Sequence, residues 1–306
     1  MAARRRQVRV GTRGSALALA MTAKVLAALR EVGLDGEPVT IRTRGDAHPD
    51  RPTRALGPGA FVKELEDALA DGRIDLAVHS AKDLHSQTTP GLVVAAFLAR
   101  EDPRDALVTQ NGLGLHALPP GARVGTDSPR RRAFLLAVRA DLDVRGIRGN
   151  VDTRLRKLDA GEVDALVLAV AGLQRLGLAD RIAEVLEPDV MLPAVGQGVV
   201  AIQARATDPL VAQVAALDHT PTRRAQDAER AFVAALGGTC HTAIAALAQC
   251  HADRLTLDGA VLAPDGRGAL RDRIAGAPRD AVALGEALGQ HLIARGARAL
   301  MVEVAR

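Results

Sequence analysis

The sequence predicts an α/β protein of two lobes with mostly parallel sheets, followed by a smaller C-terminal α+β domain. Three observations favour this fold class: strand-like and helix-like segments alternate as far as Thr220, the two lobes share traces of one repeated pattern, and the pattern changes beyond Thr220. Alternation is typical of parallel sheets, because two parallel strands need a crossover connection between them. The length of 306 residues suits two or three domains, each with its own core.

The first lobe opens with strand-to-helix units. A strand is predicted at QVRVGTRGS and a helix at SALALAMTAKVLAALREVG, with Ser15 as its N-cap and Gly33 just beyond its end. A strand follows at PVTIRTRGD, then a helix at FVKELEDALADG that closes at Gly72. The segment IDLAVHS is a further strand, and it leads into the turn AKDL.

The second lobe repeats this pattern, with strands at ARVGT and VDALVLAV and helices at DSPRRRAFLLAVRADL and GNVDTRLRKLDAG. Aligning Gly72 with Gly161, a constant offset of 89 residues, produces five matches: Leu69 with Leu158, Ile74 with Val163, Asp75 with Asp164, Val78 with Val167 and Leu84 with Leu173. Where the first lobe has Lys82 and Asp83, the second has Ala171 and Gly172. The lobes are therefore predicted to share a scaffold without sharing their chemistry.

The connections and the C-terminal part complete the predicted organisation. AREDPRDALV is interpreted as a crossover hinge and LPAVGQGVVAIQAR as the return. Beyond Thr220 we predict a helix at RRAQDAERAFVAAL, a hairpin at LTLDGAVLAPDGRGALRDRI with a Pro-Asp-Gly turn, a second helix and an edge-like strand at ALMVEV. The predicted domains are residues 1–99 with 198–217, residues 103–193, and residues 220–306.

Charge and composition restrict the partners. Lys and Arg number 40 against 36 Asp and Glu. The excess of positive charge is local, since the segment from Arg130 to Arg156 contains eight arginines and three aspartates. The chain has no Trp or Tyr and only four Phe, which leaves little for nucleic-acid bases to stack on. Arginine forks also bind carboxylates in bidentate fashion, so we expect an anionic small molecule and no nucleic acid.

We expect a cytoplasmic protein that does not enter membranes. The four arginines before Val10 are not followed by an apolar stretch, and no apolar run approaches the roughly 18 residues of a membrane span. A nucleic-acid-binding protein remains an alternative that would explain the pI of 9.6, and strongly salt-dependent binding of DNA would favour it.

The two cysteines leave several uses open. Cys240 follows two glycines in GGTCHTAIAAL and could be a buried filler, half of a disulfide, a metal ligand or a nucleophile. Two cysteines make no disulfide framework in a chain of this length. The Cys-His pairs at Cys240 and Cys250 lack the usual ligand spacing, so we expect no metal.

Open parallel sheets bind ligands beyond the carboxyl ends of their strands, which predicts a cleft between the lobes. One side would have the helix start at Thr126 to Arg131, where Pro129 suits the first helical position. The other side would have Ser80, Lys82 and Asp83, although HSAKDL could also be an ordinary capped turn. Arg148, Arg154 and Arg175, taken singly, have the pattern of solvated helix charges.

A set of motifs then resembles, in order and over nearly the whole chain, the porphobilinogen deaminase (hydroxymethylbilane synthase) family: RVGTRGSALALAMT, FVKELEDALADGRIDLAVHSAKDL, REDPRDALV, VRGIRGNVDTRLRKLDAGEVDALVLAVAGLQRLGL, LPAVGQGVVAIQAR and AERAFVAALGGTCHTAI. The resemblance implies two lobes like those of a periplasmic binding protein, an active site between them, and a third domain that presents a cysteine. It also implies a dipyrromethane cofactor, built from the substrate and held by that cysteine in thioether linkage. Cys240 occupies this place and Cys250 does not.

The implied reaction joins four porphobilinogen molecules head to tail, releases ammonia at each step, and yields the linear tetrapyrrole hydroxymethylbilane of porphyrin and heme biosynthesis. Loss of ammonia leaves an electron-poor azafulvene, whose developing positive charge a carboxylate would stabilise. Asp83 matches the catalytic aspartate of the family. By resemblance, the cofactor-binding positions are Arg13, Ser80, Lys82, Asp83, Thr126, Ser128, Arg130, Arg131, Arg148 and Arg154, and the substrate-binding positions are Arg13, Arg148, Arg154 and Arg175.

Some positions depart from the family pattern. Gly57-Pro58-Gly59 replaces a Gly-Gly-Lys-Gly loop, with Arg54 as a neighbouring cation, and the other departures are Asp127, Pro129 and Ala243. We expect a monomer. A bilobal anion-binding protein without catalysis is the main alternative, but it would have no use for the Cys240 loop.

Overall fold

The structure is a computed structural model that describes residues 7–47, 59–85, 88–238 and 242–301. Its strands are β1 Gln7–Thr12, β2 Asp35–Thr40, β3 Leu76–Ser80, β4 Leu92–Phe97, β5 Asp105–Thr109, β6 Arg123–Gly125, β7 Asp143–Arg145, β8 Ala165–Ala169, β9 Glu184–Leu186, β10 Val200–Arg205, β11 Ile244–His251, β12 Arg254–Leu262 and β13 Ala269–Gly276. Its α-helices are α1 Ala16–Glu31, α2 Arg44–Ala47, α3 Lys63–Ala70, α4 Pro129–Val138, α5 Val151–Asp159, α6 Val170–Arg175, α7 Leu210–Val214, α8 Thr220–Leu236, α9 Ala281–Ala294 and α10 Ala297–Leu300.

The first lobe is built on a sheet with the strand order β2-β1-β3-β10-β4. β1 is parallel to β2 and β3, whereas β10, which returns from the second lobe, is antiparallel to both of its neighbours. Helix α1 begins as predicted, because the Ser15 side chain accepts a hydrogen bond from the Ala18 amide at 3.3 Å. The strand predicted at PVTIRTRGD begins earlier, at Asp35, and ends at Thr40 before the short helix α2.

The second lobe has a sheet of the same plan, in the order β7-β6-β8-β5-β9. β6 is parallel to β7 and β8, and β5, which crosses over from the first lobe, is antiparallel to β8 and β9. β8 lies 89 residues after β3 at both of its ends, so the structure confirms the repeat that the sequence predicts. It also confirms the two-lobed α/β fold, with one antiparallel strand inserted in each sheet.

The third sheet, β11-β12-β13, is covered on one face by α8 and α9, where Phe232 and Leu288 are buried. Its other face shares one apolar cluster with the second lobe, in which Ala245 and Leu262 join Leu107 and Phe134. The predicted Pro-Asp-Gly turn also contacts that lobe. Gly266 has a φ of +75°, and a Cβ there would lie 2.5 Å from the Ala137 amide nitrogen in α4.

The contact between the third sheet's helix α8 and the first lobe is polar. The buried Glu229 carboxylate accepts hydrogen bonds from both terminal nitrogens of Arg100, at 2.6 and 2.9 Å. Arg223 pairs with Asp218 at 2.9 Å and lies over the Phe97 ring, 4.5 Å from its centre. The third sheet is therefore joined to the second lobe by an apolar core and to the first lobe by charged groups.

The strand predicted at ALMVEV is wrong where the structure describes it. Ala299 and Leu300 belong to helix α10, and Leu300 packs against the core of α8, α9 and the third sheet. A helix buries this apolar side chain as well as a strand would. Residues 302–306 lie outside the described ranges. None of the described helices combines the length and the apolar character that a membrane crossing requires.

Candidate active site

A cavity of about 70 Å³ lies at the carboxyl ends of β1 and β3 in the first lobe. After β3 the chain makes a 3₁₀ turn at Ala81–Asp83, and this turn brings Ser80, Lys82 and Asp83 to the cavity wall. Arg13 and Phe61 line the cavity as well. Asp83 thus borders a small cavity, where its negative charge can stabilise a positive charge on a bound molecule.

Arg13 is held in place by an acidic and an aromatic neighbour. Its guanidinium pairs with Asp46 at 2.6 Å and lies over the Phe61 ring, 4.2 Å from the centre. The Thr43 hydroxyl donates to the same carboxylate at 2.7 Å. Because these contacts fix the guanidinium at the cavity, a ligand meets it already oriented.

The return segment between the lobes packs directly on the turn Ala81–Asp83. Gly196 has a φ of +73°, and a Cβ there would lie 2.8 Å from the Lys82 amide nitrogen. Next to it, Gln197 Oε1 accepts from Lys82 Nζ at 3.2 Å and from an Arg131 terminal nitrogen at 3.5 Å. Gln197 Nε2 donates to Asp105 Oδ1 at 3.0 Å. This buried glutamine therefore connects the cations of the two lobes.

Asp105, at the start of β5, holds two buried arginines. Arg130 pairs with it at 2.7 Å and Arg131 at 2.8 Å, and the carboxylate is fully buried. Burial alone would raise the pKa of the Asp105 carboxyl, but the charges of Arg130 and Arg131 lower it to about 2. Both arginines are therefore anchored by a protein carboxylate. That they bind ligand carboxylates stays a prediction.

The start of α4 is arranged as a capped helix. Ser128 is the N-cap, and its hydroxyl accepts from the Arg131 amide at 3.4 Å. Thr126 is buried, and its hydroxyl accepts from the Ser128 amide at 3.2 Å. Both predicted residues therefore lie at the amino end of the helix that carries Arg130 and Arg131.

Arg148 and Arg154 lie near the start of α4. The interpretation of each as a solvated helix charge, which follows from its local sequence, is wrong. Arg148 pairs with Asp127 at 2.9 Å, and its side chain is only 14% exposed. Arg154 Nε donates to the Gly149 carbonyl at 2.8 Å, and it forms no ion pair within the part of the chain that the structure describes. Burial, and then the charge of Arg131, lower the pKa of Arg154 to about 10.

Arg175 is placed apart from Arg148 and Arg154, at the crossover between the lobes. Its Nε contacts Glu101 at 2.6 Å and a terminal nitrogen donates to the Gly198 carbonyl at 3.0 Å. Lys24 from α1 binds the other oxygen of Glu101. The side chain is 10% exposed, so the solvated-helix interpretation is wrong here also.

Two predicted residues lie outside the described ranges: the cofactor cysteine Cys240, and Arg54, the cation next to the Gly57-Pro58-Gly59 loop. Sequence reasoning missed Asp105 and Gln197, which organise the cations. Two signals were available: a charged residue opens the otherwise apolar strand DALVT, and Gln197 stands between two glycines in VGQGV. Neither signal identifies the side chains that these residues meet.

The cluster fits a ligand that carries several carboxylates. Lys82, Arg131 and Arg154 lie close together: desolvation, and then the charge of Arg131, lower the pKa of Lys82 to about 8 and that of Arg154 to about 10. Arg130 Nε is buried without a hydrogen-bond partner among the described residues. Buried cations are stable when paired, so an incoming polyanion would satisfy them.

Known proteins match the chain along most of its length. Residues 8–213 match the family model described as porphobilinogen deaminase, dipyromethane cofactor binding domain, and residues 224–294 match that of the porphobilinogen deaminase C-terminal domain. A porphobilinogen deaminase of Roseiflexus sp. strain RS-1 is 52% identical over 95% of this chain and 97% of that relative. Another, of Acidothermus cellulolyticus, is 47% identical over 96% of this chain and 91% of that relative.

Among solved structures, a periplasmic substrate-binding protein of an ABC transporter from Coxiella burnetii matches with 18% identity and a TM-score of 0.43, over 73% of this chain and 96% of that chain. The two family models together span most of the sequence, and the relatives match it over nearly their full length. The chain belongs to the porphobilinogen deaminase family.

Proposed function

We propose that this porphobilinogen deaminase joins four porphobilinogen molecules head to tail into hydroxymethylbilane, with release of ammonia, and that Asp83 is its catalytic residue. The observation that carries the proposal is a carboxylate at the wall of a small cavity, next to cations from both lobes, Lys82 and Arg131, that share Gln197 as a hydrogen-bond partner. The carboxylate stabilises positive charge that develops on the pyrrole when ammonia leaves.

The cations bind the acetate and propionate groups. We assign this binding to Lys82, Arg131, Arg148 and Arg154, with the hydroxyl groups of Ser80, Thr126 and Ser128 as further donors. Of these residues, Lys82 and Ser80 line the cavity together with Asp83. Charge-assisted hydrogen bonds of this kind fix the pyrrole rings relative to Asp83. When bound, the dipyrromethane supplies the pyrrole carbon to which the first substrate is joined.

We assign the covalent attachment of the dipyrromethane to Cys240. The residue belongs to a glycine-led loop that precedes β11, and a cationic cleft favours the reactive thiolate form of a nearby cysteine. Cys250 is the contrasting case, because it lies inside β11, paired with Leu255 of β12. A residue committed to a strand ladder is poorly placed to hold a ligand in a cleft.

Substrate binding is assigned to Arg13, Arg148, Arg154 and Arg175. Arg13 has the most direct support, since it lines the cavity with Asp83. For Arg175 the support is the family pattern alone, because its guanidinium is bound to Glu101 and Gly198. A substrate carboxylate would have to replace Glu101 there.

We further propose a cytoplasmic monomer with domains at residues 1–99 with 198–217, 103–193 and 220–306. The membership of the three sheets supports this division, since β10 at Val200–Arg205 completes the first sheet and β11 to β13 form the third. The alternative of a non-catalytic anion-binding protein would explain the lobes but not the turn with Asp83.

Intact-mass spectrometry of the purified protein tests this function. The mass should exceed that of the bare chain by one dipyrromethane unit and should rise in single-pyrrole steps when porphobilinogen is added. Cys240→Ala should have the bare mass, whereas the matched control Cys250→Ala should keep the adduct. A wild-type chain that stays unmodified with porphobilinogen, or an adduct that is lost in Cys250→Ala, would contradict the assignment.

A further inference from the structure

His79 lines the same cavity as Asp83 but has no part in the function proposed above. It lies in β3 and is 3% exposed. Its Nε2 is 3.0 Å from Gln203 Oε1, and Gln203 Nε2 donates to Glu66 Oε1 at 2.9 Å. The Thr89 hydroxyl donates to the other oxygen of Glu66 at 2.9 Å. A polar chain therefore leads from α3 through the buried sheet to the cavity.

This chain determines which nitrogen of His79 carries the proton. An ionised carboxylate only accepts hydrogen bonds, so Glu66 must face the NH₂ group of Gln203. The oxygen of the Gln203 amide then faces His79, and His79 Nε2 must be the protonated nitrogen. Nδ1 is left with a free lone pair, and it has no hydrogen-bond partner in the described ranges. Burial lowers the pKa of His79 to about 4, so the ring is neutral at pH 7.

The second lobe shows that the fold does not need these polar groups. At the repeat offset, His79 corresponds to Leu168 and Glu66 to Leu155. Gln203 pairs with Ala77 in the first sheet, and the corresponding pair in the second sheet is Val108 with Leu166. Leu168, Val108 and Leu155 are all buried in one apolar cluster. Since buried polar groups are costly, the chain of His79, Gln203 and Glu66 calls for a reason other than folding.

We infer that His79 is a substrate-positioning residue whose Nδ1 accepts an N–H hydrogen bond from porphobilinogen in the cavity beside Asp83. Porphobilinogen has N–H donors on its pyrrole ring and on its aminomethyl group, and Asp83 and His79 provide two acceptors at one cavity. Glu66 and Gln203 act through His79, by holding the ring in the tautomer that presents the lone pair. The inference rests on the proposed site at Asp83.

Two substitutions separate this role from a structural one. Asparagine can place its oxygen where Nδ1 lies but cannot reach Gln203, whereas glutamine can place its NH₂ group where Nε2 lies but has no acceptor at the Nδ1 position. We expect His79→Gln to keep the melting temperature and to lower kcat/KM about tenfold, and His79→Asn to melt earlier but to retain more kcat/KM per folded molecule. The opposite order of the two activities, or full activity in His79→Gln, would overturn the inference.

The tautomer can be measured on the wild-type protein without any turnover. In a long-range ¹H–¹⁵N spectrum of the wild-type holoenzyme, with His79 assigned by the loss of its signals in His79→Gln, Nδ1 should have the shift of an unprotonated imidazole nitrogen across pH 6 to 8. A protonated Nδ1 would overturn the inference.

The variant Asp83→Asn distinguishes a failure of the proposed site from a failure of the role inferred for His79. If Asp83→Asn keeps normal turnover, the site itself is misassigned. If Asp83→Asn loses turnover while His79→Gln does not, only the role of His79 is wrong.

Discussion

The two lobes place their charged residues on opposite strands of the same strand pair. In the first lobe, Ser80 ends β3 opposite Val200, and Lys82 and Asp83 follow it. In the second lobe, Ala169 ends β8 opposite Asp105 of the antiparallel strand. The same scaffold therefore carries the turn with Lys82 and Asp83 in one lobe and a carboxylate that anchors arginines in the other.

The turn of the second lobe is used for packing instead. Its chain continues into α6, where Ala171 and Gly172 stand at the positions of Lys82 and Asp83 and are buried. A Cβ at Gly172 would lie 3.7 Å from Leu17 of α1, which is an ordinary contact between the lobes. The comparison teaches that a few side chains at strand ends decide whether a repeat unit binds ligand or its partner lobe.

The largest effect is expected on stability, from removing the charge of Asp105 in the second lobe. Asp105→Asn would leave Arg130 and Arg131 buried without their counter-ion, which should lower the free energy of unfolding by about 3–5 kcal/mol. Urea denaturation would measure it. Asp143→Asn, which breaks the exposed pair with Arg145 in the same lobe, is the control and should leave stability unchanged. An Asp105→Asn variant as stable as wild type would contradict the anchoring role.

The pH dependence of stability should follow from the same residue. The pKa of Asp105 is about 2 in the folded protein and about 3.9 for a carboxyl group in an unfolded chain. Its contribution is therefore complete above the unfolded value and is lost as the pH falls through about 4 toward 2. Asp105→Asn should flatten the stability profile in this window, as urea midpoints measured at successive pH values would show.

The next largest effect is expected on turnover, from the Asp83 turn of the first lobe. We expect Asp83→Asn to fold and to lower turnover about a hundredfold or more, because a key electrostatic group is removed from the site. Gly172→Ala, at the equivalent position of the second lobe, is the matched control and should keep turnover and melting temperature. Normal single-turnover rates in folded Asp83→Asn would remove Asp83 from the mechanism.

Arg154 should behave in the opposite way to Asp105. It is a half-buried cation without an ion pair in the described ranges, so Arg154→Met should leave the melting temperature unchanged or raise it. Binding of porphobilinogen should weaken by about 1.5–3 kcal/mol if a ligand carboxylate is its partner. Calorimetry and KM would report the two effects, and a strongly destabilised variant with normal KM would make Arg154 a structural residue.

The smallest effect is expected from Lys82, as a shift in a pH profile. Its pKa is lowered to about 8, so the ammonium loses its proton as the pH rises through that value and kcat/KM should fall about tenfold per unit beyond it. In Lys82→Arg, whose guanidinium stays charged, this alkaline limb should move to higher pH. An unchanged limb in Lys82→Arg would assign it to another group.

Local sequence patterns predict much of the scaffold, but they do not predict the interactions between the lobes. The offset of 89 residues predicts that β3 and β8 are equivalent, and Ser15 marks the start of α1. The antiparallel strands β5 and β10 and the bond between Gln197 and Asp105 join residues that are distant along the chain. Arg148 has a solvated pattern on its own, because its aspartate partner and its buried setting come from other elements.

The two interfaces of the third sheet have a mechanical consequence. An apolar core such as the one containing Leu262 and Phe134 resists sliding, because displacement would expose it to water, and the Gly266 turn leaves no space against α4. The contact with the first lobe is smaller and directional, since the Arg223 guanidinium donates to the Val94 carbonyl at 3.0 Å and lies over the Phe97 ring. We therefore expect the third sheet to keep its position against the second lobe better than against the first. A relative motion of the two lobes would then change the distance between the Asp83 turn in the first lobe and Arg130 and Arg131 in the second.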